Sequence, residues 1–182
     1  MAATEFVMIV PLMLVMFFGV VEFSSGVAVD RKVTLVARTL SDLTSQSPAT
    51  GVTDTDLSNF FAASVGILTP YSASPTQSTL TELYVDPTTH KARVQWSKAS
   101  TFNSSGNVVL AASSHLPGDI ITIPAALVVD GTYLIWSEVS YTYVPTVGYV
   151  MAKTGVTLSD LTYTRPRQSN CVMYKTTVCT TY

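Results

Sequence analysis

The sequence predicts an α+β fold, one long N-terminal helix joined to a C-terminal antiparallel sheet, and three observations predict it. From Phe6 to Val21 the chain carries no charge in 16 residues, and only Pro11 and Gly19 there are not aliphatic, Met or Phe. From Val29 the apolar positions Val29, Val33, Val36, Leu40 and Leu43 step by four and three, the spacing of one helix face. Beyond the loop Thr69 to Ser78 the chain is Thr/Ser-rich and alternates apolar with polar residues, as half-buried strands do.

The first helix is expected to run unbroken from the N-terminus to the Ser47-Pro48 stop, about 43 residues and roughly 65 Å at 1.5 Å per residue. A bilayer core needs about 20 mainly apolar residues, or about 30 Å. The helix is about twice that length, so its second half must pack on something outside a membrane. This divides the chain into an apolar anchor (1–28), an amphipathic continuation (29–47) and an exported α+β domain (48–182). Arg31, Arg38 and Asp42 fall off the apolar stripe, as expected for a helix with one buried face. Pro11 removes one helix hydrogen bond. With Gly19 and the Ser24-Ser25-Gly26 group, it marks the segment where the helix is expected to depart from regularity when assembled.

The domain's elements follow in order. Asp54-Thr55-Asp56-Leu57 opens a short amphipathic helix, with Leu57, Phe60, Phe61, Val65 and Leu68 inward and the aspartates as capping acids rather than calcium ligands. A loop from Thr69 to Ser78, holding Pro70 and Pro75, leads to the sheet. Thr79 to Val85 and Lys91 to Trp96 form a hairpin across Asp86-Pro87-Thr88-Thr89, with Ala92, Val94 and Trp96 on one buried face. Asp119 to Ile123, Thr132 to Val144, Leu158 to Thr164 and the cysteine segment complete five or six strands.

Composition narrows the function. Charged residues are 12% of the 182, against about 25% in ordinary soluble domains, which suits an exported or assembled protein. The net charge is -2 with no basic stripe, which argues against nucleic-acid binding. No catalytic, cofactor or metal site is expected: there is no nucleophile elbow, phosphate loop or ligand spacing. His90 and His115 lie in turn-like polar sequence and read as solvated loop residues. Cys171 and Cys179, an even pair in an exported context, are expected to form a disulfide, with two buried thiols as the alternative.

Glu5 is the informative residue at the N-terminus. A carboxylate at the lip of an apolar helix is costly without a partner, and the nearest cation is the amine of Met1, its own or a neighbouring copy's. Glu22 is a second carboxylate within the apolar stretch. A secretory signal would begin with Lys or Arg and end in a small-residue cleavage site, and neither is present. The order Met1-Ala2-Ala3-Thr4-Glu5-Phe6, the Pro six residues after Glu5, and Gly19-x-x-Glu22-Phe23 resemble the type IV pilin superfamily, specifically the TadE-like pilins of the tight-adherence (Tad) pilus. Tyr163-Thr-Arg-Pro-Arg167 and the late cysteines are weaker echoes.

The resemblance implies a lollipop-shaped subunit with Met1 as its first mature residue and Glu5 paired to a Met1 amine. It implies residence in the bacterial inner membrane, then polymerisation through the helix into an extracellular pilus serving surface attachment. A prepilin peptidase, a membrane platform and an assembly ATPase are the implied partners. A minor pseudopilin that initiates or caps a pilus, and a non-polymerising membrane-anchored adhesive protein, are the alternatives.

Overall fold

In the computed structural model, which describes residues 2–48, 50–145, 155–176 and 179, helix α1 spans Ala2–Ser45 without interruption. At 1.5 Å per residue it is roughly 66 Å long. Pro11 lies inside it, and Gly19 and Gly26 are helical too. In the single chain, therefore, the helix stays regular through the segment expected to break on assembly.

The buried face of α1 is the one its spacing predicts. Val29, Val33, Val36 and Leu40 are at most 1% exposed. Leu43 departs from the expectation: it is only half-buried, and Ala37, Ser41 and Thr44 are buried instead. Positions taken at an average step of 3.5 residues drift around a straight 3.6-residue helix. By the fifth position the centre of the face has moved on to Thr44.

Helix α2 spans Asp54–Val65. Its N-cap is Thr53, whose side chain accepts from the Asp56 N–H while the Asp56 carboxylate accepts from the Thr53 N–H. Of the two acids, then, Asp56 completes a capping box and Asp54 is free for a tertiary role. Leu57, Phe61 and Val65 are buried against α1, Leu68 follows in a short 3-10 turn at Gly66–Leu68, and Phe60 is only half-buried.

The sheet is antiparallel, with six strands: β1 Thr76–Val85, β2 Ala92–Phe102, β3 Val108–Ala112, β4 Ile120–Ile121, β5 Tyr133–Tyr143 and β6 Val156–Thr164. The order is β3-β2-β1-β5-β6, with β4 pairing β2. Helix α1 lies across β5 and β6, where the Ser137 hydroxyl donates to the Ala37 carbonyl at 2.7 Å and Ser41 meets Thr164 at 3.0 Å. Small helix residues at these points let the backbone come close to the strands.

Three expectations need correction, and one strand, β3, is not among those anticipated. Ala92, Val94 and Trp96 do not share a face. The pairing Glu82↔Trp96 is followed by Leu83↔Val94, so Gln95 is an extra residue, a bulge. Trp96 turns toward α1, while Ala92 and Val94 join Leu83, Leu134 and Trp136 in a second core on the outer face. The Asp119–Ile123 strand shrinks to two residues between Gly118 and Pro124, because proline cannot donate to a ladder. Strand β3 is an edge strand in Asn107-Val-Val-Leu-Ala-Ala112, which lacks a period of two. The cysteine segment is no strand: among the described residues it contributes one parallel bridge, Val52↔Tyr174.

Candidate assembly surface

The first half of α1 projects from the domain with apolar side chains on every side. Phe6 is 69% exposed, Met8 83%, Phe17 61% and Phe23 68%. The helix is long and apolar enough to cross a membrane. Glu5 lies in its first turn and is exposed. Met1 lies outside the described residues, so the expected pairing of Glu5 with the Met1 amine does too.

Glu22 has a different environment. Residues 22, 26, 29, 33, 36 and 40 step by four and three, so Glu22 and Gly26 lie on the same helix face as the domain core. Glu22 is 4% exposed, and the Tyr143 hydroxyl at the end of β5 donates to its Oε2 at 3.1 Å. A Cβ on Gly26 would stand 3.8 Å from the Tyr143 ring, ordinary contact. Burial, then the neighbouring Glu22 carboxylate, raises the Tyr143 phenol above its usual value. The domain thus closes over the helix from Glu22 onward. Glu5 is about 25 Å away along the axis, at 17 residues of 1.5 Å. The two acids serve separate ends of the exposed segment. A shallow apolar cleft of about 210 Å³ opens beside this junction, lined by Phe23, Gly26, Val27, Asp30, Tyr143 and Leu158 among others.

At the far end of the domain, Cys171 and Cys179 are bonded to each other, with Cα atoms 6.3 Å apart. The segment after Cys171 packs into the helix-side core, where Val172 is fully buried. Tyr174 and Lys175 both bond the Asp54 carboxylate, which holds that acid below the usual range.

The histidines are partly corrected. His90 is exposed, with Nδ1 2.8 Å from the Asp130 carboxylate. His115 is half-buried rather than solvated: Nε2 is 2.9 Å from Glu138 Oε2 and the ring lies 4.8 Å from that of Trp136. Among the described residues no three His, Cys, Asp or Glu side chains gather as a metal site.

Sequence reasoning missed two residues that matter here, Tyr143 as the partner of Glu22, and Glu82. The signal for Glu82 is present in the strand Leu80-Thr-Glu82-Leu-Tyr84, where alternation puts an acid in line with inward residues.

The sequence model of the TadE-like protein family matches residues 1–40. No curated protein and no solved structure matches the chain. The matched stretch is α1 almost to its end, including Glu5, Pro11, Glu22 and the buried stripe through Leu40. Over residues 1–40, therefore, the chain is similar to TadE-like proteins.

Proposed function

We propose that the chain is a structural pilin subunit that polymerises through α1 into an extracellular Tad-type pilus, serving surface attachment. The observation that carries this reading is the apolar half-helix standing free of its own domain. Between Phe6 and Val21, 13 large apolar side chains are between 42% and 83% exposed. At about 1.5–3 kcal/mol for each such side chain, leaving them in water would cost on the order of 20–40 kcal/mol. That is a strong drive to insert into lipid or to pack against other helices, which would cover them.

Before assembly the cover is the inner membrane. In the filament it is the helices of neighbouring copies, and the exchange of lipid for helix contacts is driven by packing and polar pairing rather than by expulsion of water. Glu5, charged and at the tip, pairs with the Met1 amine of an adjacent copy and so sets axial register. Unwinding between Pro11 and Gly26 belongs to that packed state, where neighbours re-satisfy the freed backbone groups. A prepilin peptidase, a membrane platform and a cytoplasmic ATPase complete the machinery.

The TadE-like match also suits a minor pilin that initiates or caps a filament built of another subunit. Purified filaments in which this chain is the repeated subunit distinguish the two. The test of polymerisation is Glu5→Ala and Glu5→Gln, with filaments counted at matched subunit levels. The expectation is a folded, membrane-inserted subunit that polymerises poorly as Glu5→Ala and is only partly rescued as Glu5→Gln. Wild-type filament yield from Glu5→Ala refutes the pairing, and purified filaments that lack this chain as a repeated subunit refute its polymerisation.

A further inference from the structure

Glu82, on the helix-facing side of β1, is 1% exposed. Its Oε1 accepts the Val172 N–H at 2.6 Å, and the indole N–H of Trp96, the cross-strand neighbour of Glu82, donates to the Val172 carbonyl at 2.7 Å. One residue of the C-terminal segment is thus gripped at both backbone groups by two side chains of the sheet. Two further bonds, Val52 N–H to the Met173 carbonyl at 2.8 Å and Lys175 N–H to the Val52 carbonyl at 3.0 Å, seat residues 172–175 as a strap over the domain.

We propose that Glu82 is a proton-controlled latch for this strap: neutral, its carboxyl holds the Val172 backbone in place, and on ionisation it admits water and lets the strap lift. The geometry carries the argument. Among the described residues no Lys or Arg forms an ion pair with Glu82. The buried side chains of α1 from Val29 onward and those of α2 carry no charge, and on the neighbouring strand β2 Arg93, in register with Tyr84, lies 3.8 Å from the Asp86 carboxylate. Tyr84 and Tyr133 lie beside it on β1 and β5, their rings 4.8 Å apart. At the outer end of the strap, Lys98 sits over the Tyr174 ring and Lys175 pairs with Asp54.

A charge enclosed in this way must gain a cation, lose its charge or reach water. Burial outweighs the two N–H donors and pushes the Glu82 carboxyl up to about 8, from an ordinary 4.5. Because the raised value belongs to the closed strap, the closed state binds the extra proton. Its advantage is complete below about pH 4.5 and is lost progressively as pH rises to about 8, beyond which nothing further is lost. The strap is therefore tight in acid and loosest in mild alkali.

Hydrogen exchange of the full chain in detergent micelles tests this, with the rate of the Val172 amide divided by its intrinsic rate at each pH. The opening constant of Val172 is expected to rise by up to tenfold per pH unit between about pH 4.5 and 8 and then to level off, following the single proton involved. Amides of β5 should stay protected throughout, and in Glu82→Gln the Val172 opening constant should be flat with pH. The 13C shift of the Glu82 carboxyl in the unmodified chain is a second readout, independent of whether the variant folds. Titration of that carbon near the ordinary glutamate value, a pH-independent Val172 opening, or loss of β5 protection in step with Val172 would each overturn the latch.

Discussion

Leu40 is the place to test whether the second half of α1 is the spine of the domain or merely its tether. Its side chain is fully buried between the sheet and α2, in the cluster that also holds Val36, Leu57, Phe61 and Ile135. Leu40→Ala deletes three carbons, about 2.4 kcal/mol of lost transfer energy at ~0.8 kcal/mol per methylene. The cavity left behind adds to this, because strands and helices that pack at crystal density relax only partly, bringing the total to about 2.5–5 kcal/mol. Against a typical stability of about 5–15 kcal/mol, that is a large fraction of the whole.

Leu35 is the internal control: it is on the same helix, five residues earlier, and 49% exposed. Leu35→Ala should change stability by no more than about 0.5 kcal/mol, as surface changes do. The assay is urea unfolding of the full chain in micelles, followed by tryptophan fluorescence, since Trp96 and Trp136 are 3% and 7% exposed and lie in the two different cores. A shift below about 1 kcal/mol for Leu40→Ala, or equal shifts for the two variants, would mean that the sheet does not take its core from α1.

Two smaller predictions concern the C-terminal segment. Peptide mapping without reductant should show Cys171 linked to Cys179, and reduction should cost about 2.5 kcal/mol on the loop-closure formula; free thiols in freshly prepared protein would exclude the bond. Gly51→Ala should destabilise clearly, since φ is +86° and a Cβ would stand 2.6 Å from the Met173 carbonyl oxygen beneath the strap. Gly106→Ala, also at positive φ (+78°) but facing open space, should cost less, and a reversed order in thermal melts would contradict the placement of the strap against Gly51.

Much of this architecture is legible in the residues because it follows from local periodicity. Sixteen residues without a charge can only be a segment that avoids water, and a four-three spacing from Val29 can only bury one side of a helix. Those two patterns determine α1 and its two halves, and the apolar-polar alternation beyond them marks the strand-rich remainder. Glu5 is equally legible, as the one acid ahead of an apolar run.

What the tertiary structure decided are the points where a side chain's environment comes from elements far away in sequence. Glu22 reads as a carboxylate stranded in an apolar helix, yet Tyr143, 121 residues on, covers it. His115 reads as a loop residue, and Glu138 with Trp136 half-buries it. Trp96 reads as a neighbour of Val94 until one extra residue, Gln95, swings it to the opposite face, where it can reach the Val172 carbonyl. Strand alternation is a local rule, and a bulge breaks it only because the partner strand β1 sets the register. Glu82 shows the limit most plainly. Its alternation places it inward, but nothing in Thr81-Glu82-Leu83 says that the backbone of Val172, 90 residues later, will be what it meets. Sequence periodicity determines which side of an element is dry, and only the packed fold determines what each buried polar group finds there.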